Sequence, residues 1–452
     1  MRSGMARAFY TLLWWIALPL LPARLWWRGR KEPGYRRFIG ERFGCYADAL
    51  PRRTNRVLWI HAVSLGETRA VAPLIERVAR ERPDLSVLLT HMTATGRDAG
   101  RALFGERVMQ AWLPYDVPFA VRAFLRRFEP CAGILVETEL WPNLAAACQR
   151  EGIGLFLANA RMSTRSAAGY ARISALSGPM LDSLAGVAAQ TAEDARRFTD
   201  LGARDVTVAG NLKFDLAIPE SARAMGREFR KRIGEARPVW VAGSTREGEE
   251  SLIFDALARA GAAEWPNGAL TIVVPRHPQR FDAVAALMRS RGMPFVRRSD
   301  NAPVGHDTLV VLGDSLGEML AYYAAADVAF VGGSLLPLGG QNLIEPIALG
   351  VPTLIGPHTF NFAEAATQAI EAGAAVRIAD ADALLAEVAR LLRDRSKRDE
   401  MRASANAFCA AHRGAADRLW AWLAPKLPGP SNPAAVDSLL QDPARSTSRP
   451  PT

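Results

Sequence analysis

At 452 residues the chain is too long for one ordinary core, so two domains are expected, and its 49% hydrophobic content can fill both. Lys and Arg number 56 against 46 Asp and Glu, a net charge of +10. The excess is scattered and mostly Arg, with no run of basic and aromatic residues, which excludes a nucleic-acid partner and favours an anionic membrane surface or an acidic ligand.

Taken in order, residues 1–30 read as a membrane anchor. Ala8 to Ala23 carries no charge. As a helix it is about 24 Å long, short of a hydrocarbon core of about 30 Å. Leu25, Trp26 and Trp27 extend it, and Pro19 and Pro22 favour a bent or re-entrant form, so spanning and lying in one leaflet both stay open. No small-x-small cleavage site follows, which argues against a signal peptide. The flank of Arg28, Arg30, Lys31, Arg36, Arg37 and Arg42 is basic and puts the body on the cytoplasmic side. The four cysteines (Cys45, Cys131, Cys148, Cys409) show no metal spacing and read as free thiols of a reducing compartment.

From Arg56 the chain alternates apolar strand patterns with helical ones, the mark of parallel βαβ units. Strands are expected at 56–61, 86–90, 108–113, 132–136, 153–158, 186–190 and 205–208. Polar residues fall just after several of them: Glu67, Glu137, Glu139, Arg161 and Lys213. Glu67 opens a helix after a glycine turn, where an acid would repel a phosphate, so this loop suits chemistry better than phosphate binding. A capping box of Ser64 and Glu67 fits the same spacing equally well.

The second half repeats the plan, with strands at 238–242, 269–274, 308–312 and 327–331. Ser244 and Thr245 follow the first and can bond a phosphate at a helix start. Arg276 follows the second and can pair with a phosphate in bidentate fashion. The stretch Ala326 to Phe362 reads as strand, glycine loop, helix, strand. Gly332, Gly333, Gly339 and Gly340 let the backbone approach a ligand, Gln341 or Asn342 can cap a helix reaching Leu349, and Glu345 sits in its first turn. A nucleotide site fits this string better than a plain capped turn does. Asp380-Ala-Asp382 has the form of a metal pair, but at a helix start it reads as a cap. The tail, residues 425–452, is rich in Pro and Ser and reads as disordered.

The segments His61-Ala-Val-Ser-Leu-Gly-Glu67, Glu137-Thr-Glu-Leu-Trp-Pro-Asn143, Gly210-Asn-Leu-Lys-Phe-Asp215, Ser244-Thr-Arg-Glu-Gly-Glu-Glu250, Val274-Pro-Arg-His-Pro278, Phe330-Val-Gly-Gly-Ser334 and Gly356-Pro-His-Thr-Phe-Asn-Phe362 occur in this order. Together they resemble the 3-deoxy-D-manno-octulosonic acid (Kdo) transferases, glycosyltransferases of lipid A assembly. The resemblance implies an α/β GT-B fold of two Rossmann-like domains facing a cleft, here 31–215 for the acceptor and 216–424 for the CMP-sugar. It implies transfer of Kdo from CMP-Kdo to a lipid A precursor such as lipid IVA, at the cytoplasmic face of the inner membrane, with no cofactor and no metal. It implies Glu67 as general base, Glu137 and Lys213 as stabilisers of the transition state, and CMP contacts at Pro275, Arg276, Leu316, Gly317, Glu318, Asn342, Leu343, Ile344 and Glu345. Direct displacement at the sugar carbon would invert it and need no second nucleophilic carboxylate. Arg246 and Gln341 stand where many members have His, and Leu336-Pro-Leu338 replaces a more polar loop. A transferase like lipid A disaccharide synthase, or a non-catalytic sugar-nucleotide binder, are the competing readings.

Overall fold

The computed structural model describes residues 2–30, 32–47, 55–216, 218–260, 265–266 and 268–429. It divides into two compact units, one of residues up to Asp215 together with the stretch from Gly414, the other Leu216–Arg413.

The first unit holds a parallel sheet of β1 (Arg56–His61), β2 (Leu85–His91), β3 (Met109–Trp112), β4 (Pro130–Val136), β5 (Gly154–Ala160), β6 (Gly186–Ala189) and β7 (Val206–Val208). Their order is β3-β2-β1-β4-β5-β6-β7. Side chains alternate between its faces. Leu58 and Ile60 enter one core and Trp59 the other, as expected for a parallel sheet covered on both sides. The order reverses between β1 and β4. In open α/β sheets the crevice outside the strand C-termini at such a point is where ligands bind.

The second unit repeats this with β8 (Val239–Thr245), β9 (Leu270–Pro275), β10 (Phe295–Arg297), β11 (Val310–Leu312), β12 (Val328–Val331), β13 (Thr353–Ile355) and β14 (Ala375–Arg377). The order is β10-β11-β9-β8-β12-β13-β14, so the reversal lies between β8 and β12. Here β12 and β8 approach closely. A Cβ on Gly332 would lie 2.6 Å from both the Ser244 carbonyl oxygen and Thr245 Cα, so only glycine fits.

Several expectations need correction. The segment 414–424 belongs to the first unit, not the second. Leu419, Trp420 and Leu423 of the helix Ala415–Leu423 are buried in the first unit's core, and Asp215 accepts the amides of Gly414 and Ala416 at 2.6 and 2.5 Å. The apolar stripe announces a docked helix but not the sheet it docks on. Nor does disorder begin at 425: Ala424–Lys426 forms a 3-10 turn and Leu427 is buried in the same core. Residues 430–452 lie outside the described residues. The helix after the glycine loop is only Ile344–Ala348.

At the N-terminus a helix Arg2–Ala17 runs through a 3-10 turn, Leu18–Leu20, into a second helix, Leu21–Arg28. The break falls at Pro19, which cannot donate to the ladder. Ser3–Arg28 is long and apolar enough to cross a membrane by length and composition. The basic flank is partly turned inward: Arg42 is buried, its guanidinium 4.0 Å from the Trp112 ring and donating to the Met92 carbonyl at 3.0 Å. The four cysteines are free thiols.

Candidate active site

In the first unit the reversal point carries Glu67 and Glu137. Strand β1 ends at His61, and Ser64 caps the helix Leu65–Ala70, its hydroxyl oxygen accepting from the Glu67 amide. The Glu67 carboxylate accepts from Ser64 Oγ at 2.7 Å and from the Val63 amide at 2.8 Å. The local pattern is therefore a capping box, its carboxylate bonding one residue outside the usual position. The side chain is also placed for more than capping. Glu67 is 8% exposed, and burial, then the neighbouring charge of Glu137, lifts its carboxyl to about 7 while the Ser64 and Val63 bonds oppose the rise. A carboxyl that titrates near neutrality and keeps a solvent edge can take a proton.

Glu137 follows β4 in the left-handed region, φ 63°, which costs a residue with a Cβ about 1 kcal/mol or more. Its amide donates to the Ala158 carbonyl at 2.9 Å, continuing the β4–β5 ladder past the strand end. The kink turns its carboxylate to Lys213, whose Nζ is 2.7 Å from Oε1. Lys213 in turn sits in a loop pinned by Asn159: Asn159 Oδ1 accepts from the Leu212 amide at 2.9 Å, and Asn211 Oδ1 from the Lys213 amide at 3.0 Å. Asn159 is fully buried with φ 53°. Glu139 is half-buried and its carboxyl is raised, chiefly by burial, with a contribution from Glu137. Thr138 donates to the Arg161 carbonyl. So Glu67, Glu137 and Lys213 are brought together, with Glu139 nearby. His61 and His91, buried beneath them, are held neutral: burial drops them to about 3 and about 4.

In the second unit the expected nucleotide residues divide. Ser244 is half-buried with φ 56°. Thr245 is fully buried and its hydroxyl donates to Glu250 Oε1 at 2.8 Å, so that hydroxyl belongs to the scaffold rather than to a phosphate. Glu250 also pairs with Arg280 at 2.6 Å. Leu343 and Ile344 are core residues, open to a ligand through their backbone alone. Pro275 ends β9, and the next residue, Arg276, donates from Nε to Gln341 Oε1 at 3.3 Å. A Cβ on Gly333 would meet both Gln341 and Arg246. Arg246, Arg276 and Arg280 all act on His277, whose pKa falls chiefly through burial and then through these charges. The result is a cationic patch beside the glycine loop.

Several amides of the glycine loop are spent within the fold. Glu249, fully buried, accepts from Arg246, Gly333 and Leu335 amides at 2.8, 2.6 and 2.9 Å. Gly340 and Gln341 donate to the Gly333 and Gly332 carbonyls at 2.7 and 3.0 Å. The first amide of the short helix, Ile344, donates to Asn342 Oδ1 at 3.1 Å, and Asn342 donates to Glu345 at 3.3 Å. Five residues carry little macrodipole, so the arginines are the stronger concentration of positive charge here. Glu318 accepts from Ser315 and Arg298 at 2.5 and 3.0 Å. Gly317 has φ 81°, and Leu316 is 76% exposed. Asp380 caps its helix by accepting the Ala383 amide at 2.9 Å. Glu249, Glu250 and Asn159 escaped the sequence reading; the two glutamates stood inside a quoted motif, but nothing in the letters says which loop an acid will hold.

Residues 37–216 match the family model described as 3-deoxy-D-manno-octulosonic-acid transferase (kdotransferase), and residues 294–408 match glycosyl transferases group 1. The chain is 45% identical over 437 residues to the 3-deoxy-D-manno-octulosonic acid transferase of Bordetella pertussis, covering 93% of this chain and 100% of that one. It is 37% identical over 426 residues to the Haemophilus influenzae enzyme of the same name, covering 94% and 99%. A glycosyltransferase from Rickettsia africae superposes with a TM-score of 0.55 at 10% identity, covering 82% of this chain and 99% of that one. That likeness is of fold alone, the GT-B arrangement of two Rossmann-like units.

Proposed function

The chain belongs to the 3-deoxy-D-manno-octulosonic acid (Kdo) transferase family of glycosyltransferases, and from that premise we propose that it moves Kdo from CMP-Kdo to a lipid A precursor, lipid IVA, with inversion at the anomeric carbon and Glu67 as the base. The observation that carries this is Glu67 itself: a carboxylate at the reversal point of the first sheet, nearly buried, lifted to about 7 and flanked by the Glu137–Lys213 pair. An acceptor hydroxyl attacks poorly until its proton leaves, and a base with a pKa near the working pH is suited to take it. The hydroxyl oxygen then bonds to the sugar carbon as the bond to the CMP phosphate breaks, and the leaving phosphate keeps the electron pair.

Charge that develops in this step is met by fixed cations. In the second unit Arg276, with Gln341 as its partner and Arg246 adjoining, holds the CMP phosphate. In the first unit Lys213 and Glu137 stabilise the reacting sugar, and Arg161 faces its carboxylate. Fixed charges of this kind need no reorganisation at the moment of reaction. The apolar N-terminal helix and the basic flank that follows it support a seat at the cytoplasmic face of the inner membrane. Mass analysis of lipid IVA incubated with CMP-Kdo tests the whole reading: one or more added Kdo units with the native chain, and none with E67Q while CMP still binds. Added Kdo at the native rate with E67Q removes Glu67 from the base role.

A further inference from the structure

We propose that a crevice between the helices Arg2–Ala17 and Pro142–Arg150 seats the phosphate of an anionic bilayer phospholipid, gripped by Arg7 and Arg150. This rests on the membrane placement above but not on the transfer chemistry.

The N-terminal helix is bolted to the body by one face. Tyr10 Oη donates to Asp116 Oδ2 at 2.9 Å and Thr11 Oγ1 to Asn143 Oδ1 at 3.1 Å. Asp116 also accepts the Asn143 and Leu144 amides at 2.9 and 2.8 Å, so one buried carboxylate ties both helices together. Trp14 packs on Tyr115 and Trp141. The opposite face is bare: Met5, Phe9, Leu13, Ile16 and Leu20 are exposed at helical spacing. A helix with hydrogen bonds to a folded body along one side and an apolar ridge along the other lies in the membrane plane rather than across it.

Beside that ridge opens a crevice of about 420 Å³, lined among others by Arg7, Thr11, Leu12, Trp15, Pro118 and Arg150. No acidic residue lines it. Among the described residues neither Arg7 nor Arg150 has an ion pair. Two arginines without ion pairs lining one pocket match the charge and hydrogen-bonding capacity of a phosphodiester. Leu12 and Trp15, both exposed, line the pocket and offer an acyl chain its path towards the ridge.

The test is flotation of the full chain with phosphatidylcholine vesicles with and without phosphatidylglycerol, alongside transfer measured in detergent micelles. R7A/R150A is expected to lose roughly 30-fold in affinity for the anionic vesicles, from about one kcal/mol per basic residue, with binding to neutral vesicles and micellar transfer unchanged. R7K/R150K restores most of the loss. A146W, which fills the crevice without altering charge, reproduces it. Four outcomes overturn the proposal: anionic-vesicle binding of R7A/R150A equal to native, an equal loss in the control pair R223A/R395A, a raised KM for lipid acceptor with vesicle binding kept, or thermal protection of the native chain alone by inorganic phosphate with vesicle binding unmoved by the mutations. Loss of micellar transfer in the native chain would count against the proposed reaction and leave the crevice untouched.

Discussion

Lys213 Nζ lies 2.7 Å from Glu137 Oε1, and Glu137 in turn is the charge that helps lift Glu67 towards neutrality. The three side chains therefore act as one electrostatic unit. E137Q removes the charge that disfavours Glu67 ionisation, so the acidic limb of the kcat/KM profile is expected to move to lower pH. K213M leaves the Glu137 charge unopposed and moves the limb upward, with a fall in kcat of roughly 100-fold or more. An unshifted limb in both variants would separate Glu137 from the base.

Glu67 must be ionised to accept a proton. With its pKa at about 7, transfer is expected to rise tenfold per pH unit below that value and level off above it. His61 and His91 are already neutral there and contribute nothing to the limb. E67Q is expected to lower kcat by about 10²–10⁴ and to abolish the inflection. Stability moves the other way. The folded pKa of Glu67 is raised, so the protonated form is favoured by folding, and its contribution is present at low pH and lost as pH rises through about 7. The melting temperature of E67Q relative to native should thus improve between pH 5 and pH 8, read by calorimetry.

Glu249 is expected to be the most sensitive scaffold position in the second unit. E249A leaves three amides, the buried ones of Gly333 and Leu335 and the partly buried one of Arg246, without an acceptor. At about 1–3 kcal/mol for each unsatisfied group, the unit's melting temperature should drop by roughly 10 °C or more. E249Q, which can still accept at one oxygen, should drop less. Equal melting of E249A and native would show that the loops hold without it.

R276A is expected to weaken CMP binding by about 10–100-fold, the worth of a lost charge-assisted hydrogen bond, measured by calorimetric titration. Q341A should weaken it less, because Gln341 orients the guanidinium at 3.3 Å rather than supplying charge. T245V is expected to leave CMP affinity within a few-fold of native while lowering stability, since its hydroxyl serves Glu250.

Deleting residues 1–17 removes all of the exposed ridge but Leu20 and should strongly weaken vesicle binding with a modest loss of melting temperature. Deleting residues 1–30 also takes Leu21 and Leu25, which are buried, Leu25 against Tyr35 and Trp112. At about 1.5–3 kcal/mol per buried leucine, the longer deletion should melt clearly lower. Equal melting of the two would mean that the second helix does not belong to the folded body.

Much of this was legible in the letters. Buried strands such as Val57–His61 and Val328–Val331 are near-continuous apolar runs, which parallel sheets require on both faces. Ser64 and Glu67 at capping-box spacing form the box, and Asp380 is a cap. The three-residue edge strands Phe295–Arg297 and Ala375–Arg377 passed unseen, because an edge is half-solvated and its pattern is short. The partners of the glycine loop were hidden for a sharper reason. Glycines mark where a backbone can come close, but they do not say to what; here the Gly333 and Leu335 amides close on Glu249. The burial of Arg42 was equally hidden, since polarity in a sequence does not reveal a partner such as the Met92 carbonyl, fifty residues away.

Asp215 is the last residue before the second unit, and it holds the amides of Gly414 and Ala416, the first residues after it. Entry and exit of the inserted half are thus clasped by a single side chain. Topologically the second unit is a cassette: a short splice joining residue 215 to residue 414 would regenerate an unbroken first unit with its own last helix in place.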